Sequence, residues 1–284
     1  MTSETTSPPS TVFRAAGDLR LLTWPALDAS GAGAAVTARA GGVSSGPYES
    51  LNLSLSVGDD PGCVLENRHR LATAFGAAPG DFVFARQVHG AGVAVVAEAD
   101  RGSGTQSLDD AIGGTDALVT TSPEVVLAIL TADCVPIVLH DPVAGVLACV
   151  HAGWRGTVAG VTAATLAVMQ GLGTRPSDVV AGIGPAVGAD RYQVGPDVHQ
   201  AVTRSFGPAA AQFIRSDPSA PGRWLLDLQA ANRHALRQAG VPGARIHAAG
   251  IPTGPIPGHF FSDRAARPCG RLALAARLRP GGER

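Results

Sequence analysis

Apolar positions along this chain fall in short runs separated by Gly, Pro and Asp, from about residue 20 onward. The runs GVAVVAE, DALVT, EVVLAILTA, CVPIVLHD, GVLACVHAG and DVVAGIG are rich in β-branched residues and too short for typical helices, which predicts central β-strands. Helical spacing appears elsewhere. Val64, Leu65, Leu71 and Phe75 follow a polar, proline-marked start and predict a helix from Cys63 to Phe75. TVAGVTAATLAVMQGLG reads as one buried helix, and further helices are expected over Asp197 to Phe206 and Leu228 to Gln238. RLALAARL near the C-terminus fits strand or helix equally.

Strands and helices in mixed order, with several strands adjacent in sequence, predict a layered α/β fold with a mixed sheet. No internal repeat, charge block or long linker interrupts the pattern. Residues 1–18, opening MTSETTSPPST, are expected to form a disordered tail, and residues 19–280 one α/β catalytic domain. The opening lacks a basic start and an apolar core, and no apolar run reaches the length of a membrane span, so no membrane partner and a cytoplasmic location are expected.

Composition narrows the chemistry. The 22 basic and 23 acidic residues give a net charge of -1, which offers no field for a nucleic acid. Lysine is absent, so every basic residue is arginine. Schiff-base chemistry, pyridoxal phosphate catalysis and the P-loop all need a lysine amine and are excluded. The four cysteines, Cys63, Cys134, Cys149 and Cys269, form neither CxxC nor a disulfide framework, which fits a reducing compartment.

Three segments place a potential metal ligand at the end of an apolar run: RQVHG (Arg86 to Gly90), TADC (Thr131 to Cys134) and VHAGWRG (Val150 to Gly156). His89, Cys134 and His151 would make a set of two imidazoles and one thiolate. Three ligands leave one tetrahedral position of a catalytic zinc open. Asp133 is placed to move protons for a water activated there, Asp116 to orient a ligand imidazole, and Arg155, in a Gly-rich turn, to hold an anion. Arg39, Gln87, Asp116 and Gly184 complete the expected substrate-binding set. Each residue also has a structural alternative: a hydrogen-bonded histidine, a small buried cysteine, a turn-capping aspartate or a paired arginine. Cys149 reads as core packing because it lies inside its run, and His140 is a reserve ligand. In AGIGPAVGADRYQVG the third glycine falls one place late for GxGxxG, which disfavours a dinucleotide fold and leaves a turn lining the pocket or a purely structural one.

Taken in order, RAGGVSSGPYESLNLS, VGDDPGCVLENR, RQVHG, TDALVT, TADCVPIVL, VHAGWRGT and AGIGPAVGADRYQVG make the chain resemble the laccase-domain family, also called the polyphenol oxidase or peptidoglycan-editing-factor family, from about Arg39 to Arg271. The resemblance implies a single α-β-β-α domain with zinc on His89, Cys134 and His151, and copper as the alternative ion. It also implies a zinc-dependent purine nucleoside phosphorylase acting on adenosine, inosine, guanosine and methylthioadenosine with phosphate, with adenosine deaminase activity, as a monomer or homodimer. The alternatives are an amidase removing L-serine from a UDP-muramyl precursor, copper-dependent polyphenol oxidation, and a zinc-stabilised binding protein without turnover. Oxidation ranks last, since none of the 8 histidines forms a His-x-His pair. Two departures stand near the C-terminus: Asp263, where the family usually has an aromatic residue, and Pro252-Thr253, where Cys-Thr is common.

Overall fold

A computed structural model describes residues 9–254 and 259–279. The strands are β1 (Val12–Ala16), β2 (Leu19–Thr23), β3 (Ala32–Thr37), β4 (Phe82–Arg86), β5 (Val93–Val95), β6 (Ile112–Gly113), β7 (Ala117–Thr120), β8 (Val126–Thr131), β9 (Val135–Asp141), β10 (Val146–Ala152) and β11 (Val180–Ile183). They continue with β12 (Ala186–Val187), β13 (Gln193–Val194), β14 (Ile214–Ser216), β15 (Trp224–Leu226), β16 (Ile246–Ala248), β17 (Pro252–Thr253) and β18 (Leu272–Leu278). The helices are α1 (Pro25–Ser30), α2 (Pro61–Ala74), α3 (Trp154–Val158), α4 (Val161–Gly171), α5 (Pro196–Phe206) and α6 (Leu228–Gln238).

Two mixed sheets face each other. The first has the order β1-β2-β3-β18-β8-β4-β6 and the second β16-β11-β9-β10-β7-β5; β12 with β17, and β13-β15-β14, make two small sheets. Alternation along each strand sends one side chain to each face. On β8, Leu127 and Ile129 enter the core between the sheets, while Val126 and Ala128 pack outward with Leu71 and Ala72 of α2. On β10, Leu147 and Cys149 face the first sheet, and Ala148 and Val150 face Leu166 and Met169 of α4. The layers therefore run α2, sheet, sheet, α3–α6, which is the α-β-β-α order expected. Cys149 is core, as its place in the run implied.

Several expectations are refined or corrected. RLALAARL is a strand: Leu272 and Leu274 point between the sheets, and the small Ala273 and Ala275 lie in the layer under α2. The single helix expected from TVAGVTAATLAVMQGLG is two, α3 and α4, broken where Gly160 takes a left-handed φ of 81°. Helix α2 begins at Pro61, capped by Asp60 accepting from the Cys63 amide at 2.9 Å. The tail expected over 1–18 fails at Val12–Ala16, which pair antiparallel with β2 because Phe13 finds Phe260 and Arg14 finds Asp28 at 2.9 Å. Residues 1–8 lie outside the described residues.

The AGIG glycines serve sheet packing. A Cβ on Gly182 would lie 2.8 Å from the Trp24 ring and from Val138, and one on Gly184 2.7 Å from Pro136. Gly184 is buried between the sheets, so the expectation that it binds substrate is corrected.

His140 closes the far end of β9 from Cys134, a separation of about 20 Å at roughly 3.3 Å per residue, too far to serve as the reserve ligand. It is 2% exposed, with Nδ1 2.8 Å from the Ser30 hydroxyl. Burial pulls its pKa down to about 4, against the opposing field of Asp141. A depressed histidine pKa means the unfolded chain takes up protons first, so this contribution is complete above pH 6.5 and is lost as pH falls toward 4. The expected loss is on the order of 3 kcal/mol across that window. Urea unfolding at pH 7 and pH 4.5 checks it: His140→Asn should shrink the difference, and an unchanged difference would contradict the assignment.

Candidate active site

The ligand loops are built around Asp116, which is fully buried just before β7. Its carboxylate accepts the backbone N–H of Val88 at 3.3 Å, His89 at 3.0 Å and Gly90 at 2.6 Å, pinning the RQVHG loop where it leaves β4. The same carboxylate accepts from Nδ1 of His151 at 2.8 Å. That bond keeps a proton on Nδ1, so Nε2 is the nitrogen free to bind a metal once its own proton is lost. Burial works against the Asp116 carboxylate, but hydrogen bonds from His151 and then Gly90 outweigh it and hold the group below the usual carboxylate range.

His89, Cys134 and His151 meet. Their nearest donor atoms lie within 4.8 Å of one another, and the two imidazole rings are 4.9 Å apart at 79°. Gly153 permits the approach, since a Cβ there would sit 2.9 Å from Cys134 Sγ and 3.1 Å from the His89 ring. Among the described residues, His89 and Asp133 are the non-glycine residues with left-handed φ, 59° and 87°. Backbone cost of this kind, about 1–3 kcal/mol each, gathers at functional sites.

The group fits a metal ion. Two imidazoles and a thiolate at tetrahedral zinc distances would stand about 3.3–3.7 Å apart, which the observed spread reaches with small side-chain adjustments. Electrostatics agree. Burial opposes ionisation of Cys134, yet the charge and hydrogen bond of His151, followed by those of His89, bring the thiol down to about 6. Burial also opposes a charged His151, but the Cys134 sulfur and Asp116 lift it to about 9. The mutual attraction favours a thiolate at Cys134 beside a proton on His151, and a metal cation would take that proton's place.

A cavity of about 530 Å³ opens over these residues, within the range of about 300–1,000 Å³ usual for small-molecule sites. Gln87, Asp133 and Arg155 line it with the three ligands, as expected. Arg155 lies 4.4 Å over the Trp154 ring and is exposed to the cavity. Gln87 is already engaged: its amide donates to the Leu130 carbonyl and accepts the Leu130 N–H, both at 2.7 Å. Asp133 is engaged too. Its carboxylate accepts from the Thr253 hydroxyl and from the Arg264 N–H at 2.6 Å, and its carbonyl accepts from Val187 at 3.0 Å. It tethers the C-terminal segment from its place in the cavity lining. Arg39 lies outside the cavity lining, held by the Glu49 carbonyl at 2.8 Å and the Phe261 ring at 4.9 Å. Asp116 stands behind His151 and orients it; the substrate contact expected of it is corrected.

Sequence reasoning missed Tyr192 and a set of arginines, Arg86, Arg264, Arg267 and Arg271. The run DRAARPCGR, Asp263 to Arg271, carried the signal. Burial, with the nearby Cys134 sulfur, pushes the Tyr192 phenol up to about 12, so it stays a neutral donor at physiological pH.

A family model described as multi-copper polyphenol oxidoreductase laccase matches residues 33–279. The chain belongs to this laccase-like family. Among its relatives is the purine nucleoside phosphorylase YlmD of Geobacillus stearothermophilus, 40% identical over 84% of this chain and 86% of that protein. A purine nucleoside phosphorylase of Deinococcus radiodurans is 45% identical over 73% and 75%. The crystal structure of YlmD matches with a TM-score of 0.90 at 36% identity, covering 96% of this chain and 100% of that one. That of the Bacillus licheniformis protein YfiH matches with 0.89 at 32%, covering 94% and 99%. The laccase-like fold expected from the motifs is borne out. Among the described residues, one group of three or more metal-ligating side chains occurs in this laccase-like chain, the His89, Cys134 and His151 set. No helix of the described residues is long and apolar enough to cross a membrane.

Proposed function

We propose that this chain is a zinc-dependent purine nucleoside phosphorylase that also deaminates adenosine in the same cavity. The observation that carries the reading is a three-donor His/Cys/His group opening on a pocket beside Arg155, which lies over the Trp154 ring and is exposed to the cavity. The names of the relatives point the same way. Zinc suits the donor set better than a copper cluster, which would need many more imidazoles. A zinc ion held by His89, Cys134 and His151 supplies Lewis acidity, polarising a bound group and acidifying water.

The protein's own groups do the rest. Phosphorolysis forms a bond from a phosphate oxygen to the ribose anomeric carbon and breaks the bond to the purine nitrogen, which leaves with the electron pair and takes a proton. Arg155 binds the phosphate through charge-assisted N–H donors, the part a lysine-free chain must give to arginine. Tyr192 holds its proton at Oη and offers it as a hydrogen-bond donor to the substrate. Asp133 keeps the Arg264 segment closed against the cavity.

The test is metal analysis of protein purified without added metal, then incubation with adenosine and phosphate and separate detection of adenine, inosine and hypoxanthine. Adenine release that requires phosphate is expected; inosine without adenine overturns phosphorolysis and leaves deamination. Arg155→Met should raise the KM for phosphate by roughly 10- to 100-fold, the worth of a hydrogen bond to a charged group. Phosphate saturation curves check this, and an unchanged KM removes Arg155 from the role.

A further inference from the structure

The cavity has two chemically different walls, one from each sheet. Cys134 and His151 stand where β9 and β10 of the second sheet end, Cys134 just before β9 and His151 opposite Pro136, and His89 reaches them from the loop that leaves β4. The other wall comes from the first sheet. Arg86 ends β4, and Arg271 precedes β18, whose Leu272 pairs with Thr131 at the end of β8. Arg267 and the hydroxyls of Ser54 and Ser56 complete it.

The guanidiniums of this wall are anchored yet retain free donors. Arg86 donates from Nε and Nη2 to the Leu108 carbonyl at 3.2 and 2.6 Å. Asp263 braces the other two: one carboxylate oxygen takes Arg267 Nη2 at 2.6 Å and the other Arg271 Nη2 at 3.1 Å, and Arg267 Nε also donates to the Asp263 carbonyl at 3.0 Å. Arg271 Nη1 caps the Cys269 carbonyl at 2.9 Å. Among the described residues, Arg86 Nη1, Arg267 Nη1 and Arg271 Nε have no acceptor. Fixed guanidiniums with spare N–H groups lose little freedom on binding an oxyanion.

Charge decides what that oxyanion is. Arg86, Arg267 and Arg271 against Asp263 leave a net of about two positive charges, the complement of a phosphate monoester at about −1.5 to −2. Arg155, assigned above to the attacking phosphate, follows β10 on the side of the second sheet. We propose that the Arg86, Arg267 and Arg271 wall is a second anion subsite that holds a phosphate carried by the substrate's own ribose, so that the preferred substrates are purine nucleoside monophosphates. This rests on the phosphorylase reading and extends it. In the reaction, inorganic phosphate bonds to the anomeric carbon, the bond to the purine nitrogen breaks, and the products are the free base, which takes up a proton, and ribose 1,5-bisphosphate.

The test uses the metal-loaded protein in phosphate-free buffer, with inosine and inosine 5′-monophosphate as probes because neither has an amine to lose. Calorimetric titration should find the monophosphate bound at least tenfold more tightly, a preference that weakens as salt rises. Arg267→Ala, at a side chain 75% exposed and so tolerant of replacement, should cut that preference fivefold or more, and Arg86→Met should do the same. Equal binding of the two probes, or a preference untouched by both variants, overturns the subsite. Phosphate is then added and hypoxanthine followed. Preferential binding without base release from either probe keeps the subsite and discards phosphorolysis; base release from inosine with equal binding does the reverse.

Discussion

Cys134→Ala should yield a folded protein that carries no stoichiometric metal and has lost about a thousandfold or more in base release, since Lewis-acid stabilisation is worth several kcal/mol and each 1.36 kcal/mol is a factor of ten. The fold should survive for structural reasons. The side chain is only half-buried, its carbonyl still accepts from the Thr131 hydroxyl, and the strand that follows is held by β10 and β11 on either side. The checks are metal content by mass spectrometry, adenine release from adenosine, and circular dichroism. A variant that keeps its metal and turnover would remove the thiolate from the centre. One that unfolds would favour the alternative in which the ion is a structural staple.

Much of this site was legible because its residues sit at strand ends. A polar side chain at the close of an apolar run has to be satisfied somewhere, and His89, Cys134 and His151 each occupy such a place, so the three runs could be read separately and joined by chemistry. The strand periodicity gave the layers for the same reason: alternation on β8 and β10 reports two faces, and two buried faces imply a sheet sandwiched between partners. What was hidden lies in contacts that sequence spacing does not encode. Gln87 and Asp133 look like pocket chemistry beside their ligands, but their partners, Leu130 and the pair Thr253 and Arg264, are 43, 120 and 131 residues away. Arg39 is drawn off by Glu49 and Phe261, and Gly184 by the inter-sheet packing of Pro136 and Val36. Arg267 and Arg271 were missed because arginines on a loop resemble ordinary surface charge, and Arg86 because only the fold brings the end of β4 to the same cavity.

Asp116→Asn is the sharper probe of how the centre is held, because it changes one atom's chemistry and almost no volume. Four donors converge on the carboxylate: three loop amides and His151 Nδ1. An asparagine offers one oxygen and one NH2, so at least one donor must face another donor in a site with no exposure. If the NH2 turns to His151, the imidazole has to accept at Nδ1 and protonate Nε2, which blocks the nitrogen the metal needs. If it turns to the loop, the amides of Val88 and Gly90, which share the other oxygen, lose their anchor and the segment carrying His89 drifts. Either choice predicts weaker metal binding, by about 10- to 100-fold for a partner that orients a ligand, together with roughly 1–3 kcal/mol of stability for each buried group left unpaired. Competition against a chelator of known affinity measures the first and urea unfolding the second. Loss of stability with metal affinity kept within twofold would reduce Asp116 to a loop anchor. Loss of both, with turnover recovered at high metal concentration, is the result expected of a group that sets the tautomer of His151.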